Sequence, residues 1–210
     1  MKNGKYRAVG LLAWGILALP LTAGVRLGVK GGTGFASLQF HISGEDEWGT
    51  LVAPRGGVCA EFSLPGPLAL EAGAIWAPKG GRLEETWNGK PLRCTFRVEY
   101  LELPVLLKVV PWPSGRLRPA LYGGGYLAPR LSARQTLEYD GERVEEDVGS
   151  VVRALDLGWL VGTSLDVRVG TGRLALDARF QMGLSEVRGP ASAQMRVTHR
   201  VLSLLLGYWL

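Results

Sequence analysis

From Leu155 to Val169 the chain alternates with a period of two. Leu155, Leu157, Trp159, Val161, Leu165 and Val167 share one face, and Asp156, Gly158, Gly162, Ser164, Asp166 and Arg168 share the other. After Gly170-Thr171-Gly172 the pattern resumes, with Leu174, Leu176, Phe180 and Leu184 opposed by Asp177, Arg179, Gly183 and Ser185. Side chains of a β-strand point alternately to its two faces, so this run predicts a two-faced antiparallel hairpin. A helix would place apolar residues three and four apart, and no segment after residue 24 shows that spacing.

The same reading predicts eight strands, at about 25–36, 57–64, 68–77, 95–110, 116–129, 153–169, 173–185 and 197–210. Three connections are tight: Pro65-Gly66-Pro67, Pro111 to Gly115 and Gly170 to Gly172. Four are long: 37–56, 78–94, 130–152 and 186–196. Short turns at one end and long loops at the other outline an all-β, eight-stranded, antiparallel up-and-down transmembrane β-barrel with short periplasmic turns and long extracellular loops. Asn88-Gly89 and Asp140-Gly141 are hairpin turn signals inside two of the long loops, so those ribbons are expected to continue beyond the membrane. In the fourth strand Arg97 and Glu99 occupy one parity, whereas Glu102 and Lys108 occupy the other. A bulge near Tyr100 to Pro104 would restore a single polar face. Gly123-Gly124-Gly125 signals a bend or a close backbone approach in the next strand.

Alternation does not say which face is inside. A soluble, secreted lipocalin-like carrier also has eight strands, with its apolar face turned inward to a ligand. The loop asymmetry, the small residues on the polar faces, and the alternation of Leu202, Leu204, Leu206, Tyr208 and Leu210 to the last residue favour lipid contact for the apolar face. The expected lipid-facing set is Leu155, Leu157, Trp159, Val161, Leu174, Leu176, Phe180, Leu184, Leu204, Leu206 and Tyr208. The expected lumen charge network, a structural one, is Glu61, Glu71, Arg97, Glu99, Arg118, Asp156, Asp166, Arg168, Asp177 and Arg179. Arg168 with Asp177, and Asp166 with Arg179, are candidate cross-strand pairs. Eight strands enclose a space that side chains fill, so an open pore is not expected. Trp112 and Tyr208 fall at one predicted rim and Trp76 and Trp159 near the other; these are either girdle aromatics or ordinary strand residues.

Residues 1–24 have a basic start, an apolar run from Ala8 to Leu21 broken at Pro20, and the small residues Thr22, Ala23 and Gly24. They read as a secretory signal peptide, leaving 25–210 as the barrel. Removing Lys2, Lys5 and Arg7 from the 24 basic residues leaves 21 against 19 acidic ones, too even a balance for nucleic-acid binding. The exported location would permit a disulfide between Cys59 and Cys94, although one strand is expected to lie between them. His41 and His199, with Ser37 or Ser43 nearby, are the residues on which a lipid-modifying activity would have to rest. They form no nucleophile–base–orienter spacing and no metal-ligand set, so neither an enzyme nor a cofactor is expected.

Tyr100-Leu101-Glu102-Leu103-Pro104 followed by Lys108, Arg118-Pro119 with Gly123-Gly124-Gly125, Leu176-Asp177-Ala178-Arg179-Phe180 with Gly183-Leu184, and Leu202-Ser203-Leu204 with Gly207-Tyr208 together resemble the PorT-like outer-membrane β-barrel proteins of Bacteroidota. The resemblance spans essentially the whole of 25–210, and its most specific piece is the Tyr-Leu-Glu-Leu-Pro segment. It implies an integral outer-membrane protein, embedded in that lipid bilayer and delivered to the barrel-insertion machinery through its C-terminal strand. Tyr208 matches the family's terminal pattern and Leu210 departs from it. Most relatives have no assigned activity. The name-giving member is associated with protein secretion, which makes an extracellular or secretion-system protein the partner class the resemblance suggests.

Overall fold

The computed structural model describes residues 24–40, 49–150, 152–185 and 197–210; the segment read as a signal peptide, His41 and Ser43 lie outside them. Nine strands follow one another among the described residues: β1 (Val25–Phe40), β2 (Gly49–Ser63), β3 (Leu68–Trp87), β4 (Lys90–Val109), β5 (Leu117–Tyr139), β6 (Glu142–Asp147), β7 (Leu155–Val169), β8 (Gly172–Gly183) and β9 (Val197–Trp209). Their pairings are antiparallel. β1 to β5 pair in sequence, β5 skips β6 to pair β7, and β9 closes on β1. The result is a ring of eight strands without an edge, the form in which a sheet satisfies every ladder hydrogen bond within a bilayer.

β6 stands outside the ring and pairs only with β5 among the described residues. With the far halves of β3, β4 and β5 it makes a four-stranded ribbon beyond the barrel. The two hairpin tips are built by residues tolerant of positive φ: Asn88 (51°) with Gly89 (75°), and Asp140 (52°) with Gly141 (84°). The structure lengthens the first two strands relative to the sequence reading. The stretch from Gly49 to Gly56, with Pro54 inside it, reads as loop, yet it is the first half of β2. Between Thr50 and Gly56 the β2–β3 register breaks while pairing with β1 runs on.

The apolar face is outside. Leu155, Leu157, Trp159, Val161, Leu174, Leu176, Leu184, Leu204, Leu206 and Tyr208 are exposed and Phe180 is half-buried against Trp159, while Asp156, Asp166, Asp177 and Arg179 are buried within the ring. A soluble carrier requires the reverse, so this geometry removes the lipocalin-like reading. Trp112 is exposed in the β4–β5 turn, and Tyr208 faces outward at the same end.

Leu176 is 55 % exposed and lies opposite Leu165 and Leu206 on the outer surface. Leu176→Arg, and likewise Leu157→Arg, should cost about 2–4 kcal/mol of folding stability in a bilayer if the site lies near its midplane. Denaturant titration of refolded proteoliposomes measures this; an unchanged midpoint would show that the face does not meet lipid.

Candidate functional site: a filled ionic lumen

Among the described residues seven basic and six acidic ones are buried: Lys30, Arg55, Lys79, Lys108, Arg118, Arg173 and Arg179 against Glu61, Glu71, Glu102, Asp156, Asp166 and Asp177. The strand parity that puts leucines on lipid delivers these to the interior. Removing so many charges from water is expensive, and only close pairing with good hydrogen bonds offsets the loss.

The pairing forms two chains. In the lower one, toward the short turns, Arg118 bridges Asp166 (3.1 Å) and Glu61 (2.7 Å), and Lys108 bridges Glu61 (2.8 Å) and Glu71 (2.9 Å). Lys30 then bridges Glu71 (2.6 Å) and Asp177 (2.9 Å), and Arg179 grips both oxygens of Asp177 (3.0 and 3.1 Å). Acid and base alternate from one end of this chain to the other, and Arg26 adds a further contact to Glu61. In the upper chain Arg55 donates to Ser203 (2.5 Å), to Gln181 and to Glu102 (3.0 Å); Lys79 reaches Glu102 (3.5 Å) and Asp156 (2.9 Å).

Aromatic rings fill the gaps. The Tyr122 hydroxyl donates to Asp177 at 2.6 Å and the Tyr126 hydroxyl to Asp156 at 3.2 Å. Each ring lies over the glycine opposite it in the β5–β7 ladder. A Cβ at Gly162 or Gly158 would come within 2.4 Å of the respective phenol oxygen. Lys79 sits 4.1 Å from the Tyr126 ring centre, and Lys30 and Lys108 lie 5.2 and 5.4 Å from the Trp209 ring.

Toward the long loops the filling becomes apolar, with Phe96, Val98, Tyr100, Ala128, Ala133 and the loop residues Val148 and Val152 in one cluster. Arg130 pins that loop by donating to the carbonyls of Gly149 (2.5 Å) and Val152. His199 is buried edge-on against Tyr100, ring centres 5.9 Å apart, and neither ring nitrogen has a partner among the described residues.

The structure corrects several sequence assignments. Arg97 and Glu99 face outward, ion-paired to each other at 3.2 Å, with Arg97 against the Trp76 ring. β4 carries no bulge: its even positions point inward from Phe96 to Lys108, and the extra residue is Leu131 of β5, where pairing steps from Glu99–Ser132 to Tyr100–Arg130. Arg168 has inward parity but lies exposed at the rim; its ladder partner is Arg173, and Asp166 stands opposite Ala175, so neither candidate cross-hairpin pair forms. Cys59 and Cys94 are free thiols. Cys59 pairs with Gly73 and Cys94 with Leu83, ten residues further along β3, a separation of roughly 33 Å along the strand. Arg55 and Lys79 escape the sequence reading because Pro54, Gly56 and Pro78 beside them carry loop signals.

Replacing Glu102 by Gln leaves Arg55 and Lys79 facing a neutral group, and should cost about 3–5 kcal/mol. Glu99→Gln on the outer face should cost under about 1 kcal/mol. The temperature at which the folded band is lost on gels distinguishes them; equal effects would contradict an inward Glu102 and an outward Glu99. In the ribbon, burial pushes the Cys94 thiol above its ordinary range, outweighing the amide that Gln135 donates to its Sγ at 3.5 Å. Maleimide should therefore label Cys94 slowly at neutral pH and faster as pH rises beyond the usual thiol range, with no mobility change on reduction.

Comparison with known proteins gives a family and a set of similar folds. The model for "Outer membrane protein beta-barrel domain" matches residues 19–188. No curated protein matches. Among solved structures, the neisserial surface protein A is 12 % identical, over 88 % of this chain and 97 % of its own, with a TM-score of 0.48. Pseudomonas aeruginosa OprG is 11 % identical over 90 % and 97 % (TM-score 0.46), and the Yersinia pestis attachment invasion locus protein Ail 10 % over 88 % and 98 % (TM-score 0.44). With the match covering most of its length, the chain belongs to the outer membrane protein β-barrel domain family and is an integral protein of the outer membrane.

Proposed function

We propose that the protein is a non-conducting, non-enzymatic barrel that anchors an extracellular interaction ribbon. The observation that carries this reading is the filling of the ring. Two ion-pair chains and the apolar cluster beneath Val148 and Val152 occupy the space a channel would need. The ribbon, in contrast, is a worked surface. One face carries a ladder of ion pairs, Arg82–Glu84 (2.9 Å), Arg93–Glu84 (2.9 Å), Arg93–Glu138 (3.3 Å) and Arg134–Glu145 (3.2 Å). The other presents Trp87, Leu137 and Val144, which are 61, 40 and 61 % exposed outside the bilayer. Exposed apolar side chains rimmed by charge suit protein contact. The Tyr100-Leu101-Glu102-Leu103-Pro104 segment supports kinship with the PorT-like branch, and with it a cell-surface or secretion-system protein as the partner class.

Planar-bilayer recording tests the first half: no stepwise conductance is expected from the purified protein, and stable open steps would overturn a plugged lumen. Replacing 83–93 and 134–147 by short turns tests the second half. Heat-modifiable gel mobility should persist while cell-surface capture of partner protein is lost; capture that survives would place the interaction elsewhere.

A further inference from the structure

The short-turn mouth of the barrel gathers three guanidinium groups, of which the ionic lumen pairs only Arg26, with Glu61. Arg26, Arg168 and Arg173 line one recess of about 530 Å³ there, together with the hydroxyl residues Ser63, Ser114 and Thr171. Arg168 and Arg173 stand directly opposite each other in the β7–β8 ladder, an arrangement that like charges disfavour. The nearest acids are already engaged: Glu61 is held by Arg26, Lys108 and Arg118, and Asp166 by Arg118. Among the described residues one oxygen of Asp166 is left without a hydrogen-bond partner, and Arg168 and Arg173 have no ion-pair partner.

Arg173 is the telling residue. It is 7 % exposed, its Nη2 donates to the Gly115 carbonyl at 3.1 Å, and its Nη1 is buried with no partner among the described residues. A buried guanidinium held on one nitrogen and unpartnered on the other is a donor in want of an acceptor, and leaving such a donor unmet is costly. Guanidinium groups and hydroxyls lining one recess match a tetrahedral, multiply charged oxyanion better than a single carboxylate does.

We propose that this mouth is a binding site for a phosphoryl oxyanion, with Arg173 and Arg168 as its principal ligands and Arg26 as an auxiliary. The anion separates two like charges and completes the hydrogen bonding of Arg173. The phosphoryl group comes either from a soluble phosphate compound or from a phospholipid headgroup at the adjacent membrane interface. The site lies at the end of the barrel remote from the ribbon and is independent of what the ribbon binds.

The test uses the full-length protein folded in a phosphate-free detergent. Thermal unfolding is followed against inorganic phosphate at constant ionic strength held with sodium chloride, and phosphorus-31 line broadening reads binding directly. The wild-type midpoint should rise saturably with phosphate, and Arg173→Gln and Arg168→Gln should each weaken the apparent affinity by about tenfold or more, the loss expected for one charge-assisted contact. Arg168→Gln should also unfold no earlier than wild type without phosphate, because it relieves a repulsion; this variant keeps the test open if Arg173→Gln fails to fold. Reconstitution in phosphatidylglycerol against a phosphate-free galactolipid separates the sources. If the phosphate response vanishes only in phosphatidylglycerol, the headgroup fills the site; if it persists in both, the ligand is soluble. The proposal is overturned if wild type shows no saturable response in detergent, if chloride produces the same response, or if both arginine variants respond as wild type does.

Discussion

The structure depends on one alternating chain of charge. Asp166, Arg118, Glu61, Lys108, Glu71, Lys30, Asp177 and Arg179 come from β7, β5, β2, β4, β3, β1 and β8, so a single run of ion pairs ties seven of the eight ring strands together across the lumen. The eighth, β9, contributes Trp209, whose ring lies beside the two lysines of the chain. Hydrophobic burial alone does not choose a register for such a ring, because lipid is as apolar as the leucines that face it. A one-residue slip of any strand, however, would send its charged set into the bilayer. The ionic interior therefore specifies the closure as much as it stabilises it.

Space inside so narrow a ring is the second constraint. Gly158, Gly162 and Gly28 each lie under an aromatic ring from the neighbouring strand, Tyr126, Tyr122 and Trp209, and any side chain there would collide with it. The rings of Tyr126 and Tyr122 in turn bring hydroxyls to Asp156 and Asp177. Glycine, tyrosine and aspartate thus act as one unit across β5, β7 and β8. The same side chains that hold the strands together fill the space between them, from the ion-pair chains to the apolar cluster toward the long loops.

Much of this is legible in the sequence where one strand's two faces are unmixed. β7 and β8 show this in Leu155 to Leu184, and the hairpin tips are marked by Asn88-Gly89 and Asp140-Gly141. What escapes depends on a neighbour. Arg97 and Glu99 read as inward only if β4 carries a bulge, whereas the extra residue, Leu131, sits in its partner β5 and leaves no mark on the β4 pattern. Arg55 and Lys79 are hidden beside Pro54 and Pro78, breakers that the closed ring accommodates. Arg168 has the right parity at the wrong height, since periodicity gives a face and not a depth. The pairing of charges across the lumen, between strands far apart in sequence, is set by register and closure together and has no local signature.

Nitroxide scanning along β9 from residue 202 to 206, in a protein whose two cysteines have been replaced, reads directly whether the ions lie within the ring and hydrocarbon without. Labels at 202, 204 and 206 should collide with oxygen dissolved in the bilayer, and labels at 203 and 205 should be shielded from oxygen and from a water-soluble nickel chelate alike. Accessibility without alternation, or oxygen contact at 203 and 205 with chelate contact at 202, 204 and 206, would mean that the apolar face of β9 does not meet lipid.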